Sequence, residues 1–368
     1  MEVLDIKKSP LAENPVIAQM GLNNHEQVVF CNDNDTGLKA IIAIHNTILG
    51  PSLGGTRMWM YNNEMEALTD VLRLSRGMTY KSAVAGLNLG GGKAVIIGDS
   101  KTQKNEALMR RFGKFVNSLS GKYITAEDVG VNTKDMEYIK METDFVSGLP
   151  VNMGGSGDPS PVTAYGVYLS MQASAKEKWG NDSLAGKKVV VQGIGNVGEN
   201  LVKYLVKEGA KVSIFDINAD RLKAIAKETG AEVIADGNKL YDMDMDIYAP
   251  CALGATVNTD TLSRLKCSII CGAANNQLAD ENVHGKMVIE KNIIYAPDFV
   301  VNAGGIINVF YELEGYNRER AMAHAEKIYD TTLNIFKVSK EQNIPTYMAA
   351  NRLAEKRLED IGKIKVKF

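Results

Sequence analysis

One stretch limits the possible folds of this chain more than any other. In "KVVVQGIGNVGENLVKYLVKEGAKVSIFD", residues 188–216, a β-branched apolar run meets a glycine-rich turn. A run with helical spacing follows, and a second β-branched run ends on an aspartate. β-Branched runs favour strands, and the intervening 3.6-residue period favours a helix packed on them. Gly193, Gly195 and Gly198 have the dinucleotide-binding spacing, in which the glycines serve in turn for a tight turn, close approach to pyrophosphate, and helix-on-strand packing. The triplet alone is weak, because glycines also make ordinary turns. Here it follows a predicted strand, opens a helix at Asn196, and is completed by Asp216, 18 positions after the last glycine. That context predicts a Rossmann-type unit holding a dinucleotide over Gly193, Ile194, Gly195, Asn196, Val197 and Gly198. Asp216 would accept hydrogen bonds from a free ribose 2′-hydroxyl and repel a 2′-phosphate, favouring NAD over NADP, although Arg221 lies close in sequence.

The chain is 368 residues long, more than one core usually supports, so two domains are expected. A net charge of -2 with no block of like charge leaves no footprint for nucleic acid or an anionic membrane surface. The longest apolar runs, such as "KAIIAIH" and "SIICGAA", are strand-sized, and "MEVLDIKKSP" has no signal-peptide core, so a cytoplasmic protein is expected. Cys31, Cys251, Cys267 and Cys271 form no Cys-x-x-Cys pair and read as reduced packing residues. His25, His45, His284 and His324 are too scattered for a zinc motif, and no metal is expected. Ser156 in "GGSGD" is not a nucleophile elbow, and "DMDMD" at 242–246 lacks the glycine and distal glutamate of a calcium loop.

Before the dinucleotide unit, strand-like and helix-like stretches alternate: "LKAIIAIH", "NEMEALTDVLRLSRGMTYKSA", "KAVIIGD", "NEALMRRFGKFVNSL", "YITAEDVG" and "TKDMEYIKMET". Alternation of this kind predicts an α/β layer architecture. The glycine- and proline-rich "SGLPVNMGGSGDPSPVT" at 147–163 reads as a joint between domains. The expected organisation is an N-terminal α/β substrate and oligomerisation domain over 1–147 and a Rossmann-type NAD-binding domain over 148–345, separated by a cleft that closes over substrate. Residues 303–340 read as one long helical stretch, and a final helix, 346–368, is expected to return to the first domain.

The first domain should then supply the chemistry. In "GLNLGGGKAVIIGD", residues 86–99, a lysine follows three glycines, yet this is no P-loop: Leu87 stands where the early glycine belongs, and Ala94 where the metal-binding hydroxyl belongs. What remains is a side-chain-free segment that lets a substrate or another backbone approach Lys93, or a tight turn beside a solvated lysine. Lys81 closes the preceding helix, so a chain reversal could bring both amines to one pocket, where like charge and burial would favour a neutral amine as general base. An ordinary helix-end lysine is the plainer reading of Lys81. In "YITAEDVGV", strand alternation puts Ala126 and Asp128 on one face and Glu127 on the other. Asp128 reads either as a catalytic carboxylate or as the cap of the helix beginning near Asn132.

These residues resemble the amino-acid dehydrogenases of the glutamate, leucine, phenylalanine and valine group, above all its leucine branch, over almost the whole chain. The motifs that carry the likeness are "GPSLGGTRMW" at 50–59, "GLNLGGGKAVI" at 86–96, "YITAEDVG" at 123–130, "GDPSPVTAYGV" at 157–167, "GIGNVG" at 193–198, "YAPCALGATVN" at 248–258, "GAANNQL" at 272–278 and "YAPDFVVNAGGIINV" at 295–309. The resemblance implies reversible NAD-dependent oxidative deamination of a branched-chain L-amino acid, leucine first and then valine and isoleucine, to the 2-oxo acid and ammonia. By the same resemblance Lys81 binds the substrate carboxylate, Lys93 is the catalytic lysine and Asp128 handles the amino-group proton. Thr163 and Asn275 hold the nicotinamide and its ribose. Leu53, Ala126, Ile306 and Val309 line the side-chain pocket, with the backbone of Gly54 and Gly55 beside the substrate. It also implies a homo-oligomer, an octamer or a dimer. On this reading the glycines before Lys93 clear space for a substrate. A valine or phenylalanine dehydrogenase and a non-catalytic NAD-binding protein are the competing readings.

Overall fold

The computed structural model describes residues 15–364. The stretch read for a leader, residues 1–10, lies outside the described residues, as do the last four of the expected C-terminal helix. The chain forms two compact units. The first comprises the described residues up to Gly157, Glu312–Tyr316 and those from Glu355 on; the second comprises Asp158–Tyr311 and Asn317–Ala354.

The first unit contains α1 (Pro15–Asn23), β1 (Gln27–Asp33), β2 (Leu38–Asn46), β3 (Ser52–Trp59), α2 (Glu64–Val84), β4 (Gly90–Ile97), α3 (Glu106–Ser118), β5 (Tyr123–Glu127) and α4 (Thr133–Lys140). Its sheet runs β1-β2-β4-β3-β5. β2 is antiparallel to β1 and β4, whereas β3 is parallel to β4 and β5. Ile41, Ala43 and Val95 on one face pack against Ala67, Leu68, Val71 and Leu72 of α2. On the other, Met58, Ala94, Ile96 and Tyr123 meet Leu108, Phe112, Met136 and Ile139 of α3 and α4. Asparagines open three of the helices: the side chains of Asn63, Asn105 and Asn132 accept from first-turn N–H groups, leaving fewer orphan donors.

Gly90, Gly91 and Gly92 are not a loop but the first residues of β4, with β2 and β3 hydrogen-bonded on either side. A Cβ on Gly91 would stand 2.1 Å from the Thr79 nitrogen of α2, and one on Gly92 would stand 2.7 Å from the Tyr123 ring. The space these residues clear is therefore filled by α2 and Tyr123 rather than left for a substrate. Tertiary pairing on both edges overrides the low strand propensity of glycine.

The second unit contains α5 (Ser160–Trp179), β6 (Lys188–Gln192), α6 (Asn196–Glu208), β7 (Lys211–Phe215), α7 (Ala219–Thr229), β8 (Glu232–Val233), β9 (Ile247–Pro250), α8 (Thr259–Arg264), β10 (Ile269–Ile270), α9 (Glu281–Glu290), β11 (Ile294–Tyr295), α10 (Asp298–Val301), α11 (Gly304–Phe310), α12 (Arg318–Gln342) and the first half of α13 (Thr346–Gly362). Its six strands run β11-β10-β9-β6-β7-β8, all parallel, so the strand order reverses between β6 and β9. Both faces are buried, as a parallel sheet requires: Val189, Val191 and Ile214 against α5 and α6, and Val190, Tyr248 and Ile270 against Leu262 and Val288.

The stretch read as one helix over 303–340 is two helices, α11 and α12, parted by a turn containing Gly315 at φ +85°. Residues 312–316 of that turn belong to the first unit. There the Glu312 carboxylate accepts from the Gly148 and Ser156 N–H groups at 2.8 and 2.9 Å, and from the Ser156 hydroxyl. From Glu355 on, α13 also belongs to the first unit. Arg357 donates to the carbonyls of Ala83, Gly86 and Leu87, which end α2 and its following turn.

Candidate functional site

In the first unit the site is set by parallel register. β3 pairs Leu53 with Gly91 on one side and with Ile124 on the other. Because side chains alternate, Gly55, Lys93 and Ala126 share one face of the sheet, with Arg57, Val95 and Asp128 next along it, on the side that Val95 shares with α2. Lys93 is only 6% exposed, and its Nζ lies 2.8 Å from Asp128 Oδ2. The same oxygen accepts from Arg57 Nε at 3.1 Å. Arg57 Nη1 reaches Asp70 Oδ2 of α2 at 3.0 Å, and Asp70 also takes the Tyr61 hydroxyl at 2.8 Å and Arg73 Nη2 at 3.0 Å. Burial alone would raise the Asp128 carboxyl, but the charges of Lys93 and Arg57 outweigh it and hold the group down to about 2.

Gly55 leaves this face bare: a Cβ there would come within 2.9 Å of Asp128 Cβ and 2.5 Å of the Glu127 carbonyl oxygen. Gly54 serves the packing of the strands, since its Cβ would stand 1.7 Å from the Gly92 oxygen, and its own carbonyl accepts the Tyr123 hydroxyl at 2.6 Å. Leu53 and Ala126 are buried, and Lys81 is half-buried in the last turn of α2. The capping reading of Asp128 does not hold: Asn132 caps α4, in a box with Asp135. Glu127 turns away as alternation requires and accepts from Thr133 at 3.2 Å.

In the second unit the candidate residues lie at the carboxyl ends of the central strands. Gly193 turns the chain after β6 at φ +100°, where a Cβ would strike Ala252 N at 2.6 Å; Gly198 packs so closely that its Cβ would stand 2.0 Å from the Gly193 oxygen. Gly195 caps α6, has nothing within 4 Å of a built Cβ, and leaves the first turn of that helix without a side-chain cap. Asn196 beside it is exposed, Val197 half-buried and Ile194 buried. Asp216 follows β7; its Oδ2 accepts from the Ile194 N–H at 2.6 Å and its Oδ1 from the Asn218 N–H at 2.8 Å. Arg221 is tied to α6, donating to Asn196 Oδ1 at 2.8 Å and Glu199 Oε2 at 3.1 Å.

Asn275, after β10, accepts from Asn302 Nδ2 at 2.7 Å. Thr163 lies in the first turn of α5, where Gly305 of α11 approaches so closely that a Cβ would be 2.9 Å from its Oγ1. Ile306 and Val309 lie on α11, buried and half-buried. All four cysteines are free, and burial pushes the thiols of Cys31, Cys251 and Cys267 up to about 12 and raises that of Cys271 well above the ordinary thiol value, far from reactive thiolates. No helix of the described residues is long and apolar enough to cross a membrane.

Three contributors escaped the sequence reading: Arg57, Asp70 and Asn302. Arg57 stands two residues after Gly55, so period-2 alternation would have put it on the site's face had "SLGGTRMW" been read as a strand. Asp70 and Asn302 are reached only through tertiary contacts.

Residues 25–145 match the Glu/Leu/Phe/Val dehydrogenase dimerisation domain, and residues 154–220 and 213–363 match the Glutamate/Leucine/Phenylalanine/Valine dehydrogenase domain. The chain is 56% identical over 345 residues to the leucine dehydrogenase of Geobacillus stearothermophilus, covering 94% of each chain. It is 50% identical over 338 residues to the valine dehydrogenase of Streptomyces virginiae, covering 91% of this chain and 94% of the other. Among solved structures it is similar to the L-tryptophan dehydrogenase of Nostoc punctiforme, with a TM-score of 0.84 at 44% identity, over 94% of this chain and 99% of that one.

Proposed function

We propose that this chain, which belongs to the glutamate/leucine/phenylalanine/valine dehydrogenase family, is an NAD-dependent enzyme that reversibly deaminates a branched-chain L-amino acid, leucine foremost, in the cytoplasm. The observation that carries the reading is the Lys93–Asp128 pair, buried on one sheet face beside Gly55 and Ala126. A lysine and a carboxylate 2.8 Å apart can hold one proton between them, which amine release requires.

Members of this family use a nicotinamide cofactor, and the turn after β6 fits one. Gly195 leaves open space, the first N–H groups of α6 offer an anion site, and Asp216 ends β7. Asp216 and the neutralisation of Arg221 by Glu199 favour NAD over NADP. When bound, the nicotinamide supplies the acceptor for the hydride that leaves the substrate α-carbon, and the substrate is left as an iminium. Lys81 holds the substrate carboxylate. Lys93 Nζ takes a proton from the water that adds to the iminium carbon and hands it through Asp128 Oδ2 to the departing nitrogen; Lys93 Nζ then takes the hydroxyl proton of the adduct as the C–N bond breaks, leaving the 2-oxo acid and ammonia. Leu53 and Ala126 give the side chain an apolar wall, which disfavours glutamate because its second carboxylate would lack a cationic partner. Thr163 and Asn275 orient the nicotinamide end. A homo-oligomer is supported by the match of residues 25–145 to a dimerisation domain, with an octamer or dimer as the proposed form.

The test is NAD reduction followed by near-ultraviolet absorbance across a panel of L-amino acids. Leucine, isoleucine and valine should give the highest kcat/KM, with valine separated from leucine by about 1 to 3 kcal/mol for its missing methylene. Lys93→Ala should abolish turnover while NAD still binds. Near-normal turnover in that variant, or no reduction with any amino acid, would refute the reading.

A further inference from the structure

A buried lysine held by a carboxylate poses a problem for its use as a base, because the ion pair stabilises the ammonium form and delays release of the proton. The geometry around Asp128 relieves that hold. Lys93 Nζ and Arg57 Nε compete for one oxygen, Oδ2, at 2.8 and 3.1 Å. Arg57 is fixed from its other end by Asp70 at 3.0 Å, and Asp70 is in turn fixed by Tyr61 and Arg73. The charged and titratable groups linked to the pair are thus Arg57 on β3, Asp70 and Arg73 on α2, Tyr61 in the connection between them, and Tyr123 on β5. A permanent cation on Oδ2 opposes a proton on either partner of the pair, and the planar guanidinium engages Asp128 through Nε and Asp70 through Nη1 in one fixed geometry.

We propose that Arg57, braced by Asp70, is a positioning residue that lowers the proton affinity of the Lys93–Asp128 pair as a unit and so frees Lys93 to act as a base at working pH. Arg57 touches neither substrate nor cofactor in this scheme; it acts only through Asp128. The inference rests on the base role proposed for Lys93 above.

The two flanking charges have opposite signs, so their removal has opposite consequences. The experiment is kcat/KM for leucine deamination against pH in wild type, Arg57→Gln and Asp70→Asn, with Arg57→Lys as a charge-conserving comparison. Removing the Arg57 cation should move the acid limb about two to three pH units upward, the size expected for one charge a few ångströms away at an effective dielectric of about 20. Removing the Asp70 anion should move it downward by a smaller amount, since Asp70 lies beyond Arg57 from the pair, and Arg57→Lys should recover part of the Arg57→Gln shift. A merely structural role would lower the rate at every pH and leave the limb in place. Should Arg57→Gln fail to fold, the near-isosteric Asp70→Asn decides: an unmoved or upward-moved limb overturns the proposal. A wild type with no dehydrogenase activity would overturn the base role instead, so the two failures are distinguishable.

Discussion

Two glycines of this chain differ in kind, and alanine at each should separate a packing role from a binding role. Gly91 is pinned in β4 between Asn46 of β2 and Leu53 of β3. A Cβ there would stand 2.1 Å from Thr79 N, 2.2 Å from Thr79 Oγ1 and 2.6 Å from Ser75 O, against 3.4–4 Å for ordinary contact. With β4 fixed on both edges, α2 must withdraw by more than an ångström, and Thr79 would lose its buried bond to His45 Nδ1, now 2.8 Å. Overpacking against backbone of this severity costs roughly 3 kcal/mol, and the lost hydrogen bond about 1 more. At about 2 to 4 °C per kcal/mol for a domain of this size, Gly91→Ala should lower the melting midpoint by roughly 8 to 16 °C. Gly195 has φ -67° and empty surroundings, so Gly195→Ala should melt within about 2 to 4 °C of wild type. Its KM for NAD should instead rise roughly tenfold or more, equivalent to about 1.4 kcal/mol of lost cofactor affinity. Calorimetry on the three proteins, with steady-state kinetics in NAD, makes the comparison. If Gly91→Ala melts with wild type, or Gly195→Ala is the variant that loses stability, the assignment of packing and binding to these glycines is reversed.

Two further outcomes follow from the charges. Asp216→Asn keeps an acceptor for only one of the Ile194 and Asn218 N–H groups and removes the anion, so the NAD to NADP ratio of kcat/KM should fall roughly tenfold; an unchanged ratio would assign selectivity elsewhere. Asp128 is held down to about 2 from an ordinary value near 4, so its contribution is complete above about 4 and is lost as pH falls through about 2. Denaturant titrations of wild type and Asp128→Asn should therefore converge by about 2 kcal/mol across that window, and a constant gap would show that the carboxyl is not depressed.

How much of this was legible in the sequence depended on whether the governing contacts were local. The β6–α6–β7 unit was readable because its glycines act within one turn and β6, buried on both faces, is a continuous apolar run. Lys93 and Asp128 could be singled out individually, but not their meeting, which depends on β3 lying between their strands in parallel register. β3 itself was hidden by Gly54 and Gly55, residues that depress strand propensity and that the sheet needs for close backbone approach. The glycines before Lys93 were visible; which neighbour fills the space they leave was not, since a missing side chain does not say whether a helix, a ring or a ligand occupies its place. The break between α11 and α12 did leave a local mark, in Gly315 and in Asn317, whose side chain caps α12 through the Arg320 N–H.

The short turn at 312–316 also bears on how this protein can be taken apart. The polypeptide leaves the first unit after Gly157, revisits it for Glu312–Tyr316, departs again and returns from Glu355 on, so the second unit is spliced in as two inserts rather than appended. A fragment cut at Gly157 would strip Gly148 and Ser156 of the Glu312 acceptor, and would leave the carbonyls of Ala83, Gly86 and Leu87 without Arg357. Engineers wishing to exchange one half for that of a relative would have to graft at several junctions together, because no lone cut yields a self-sufficient module.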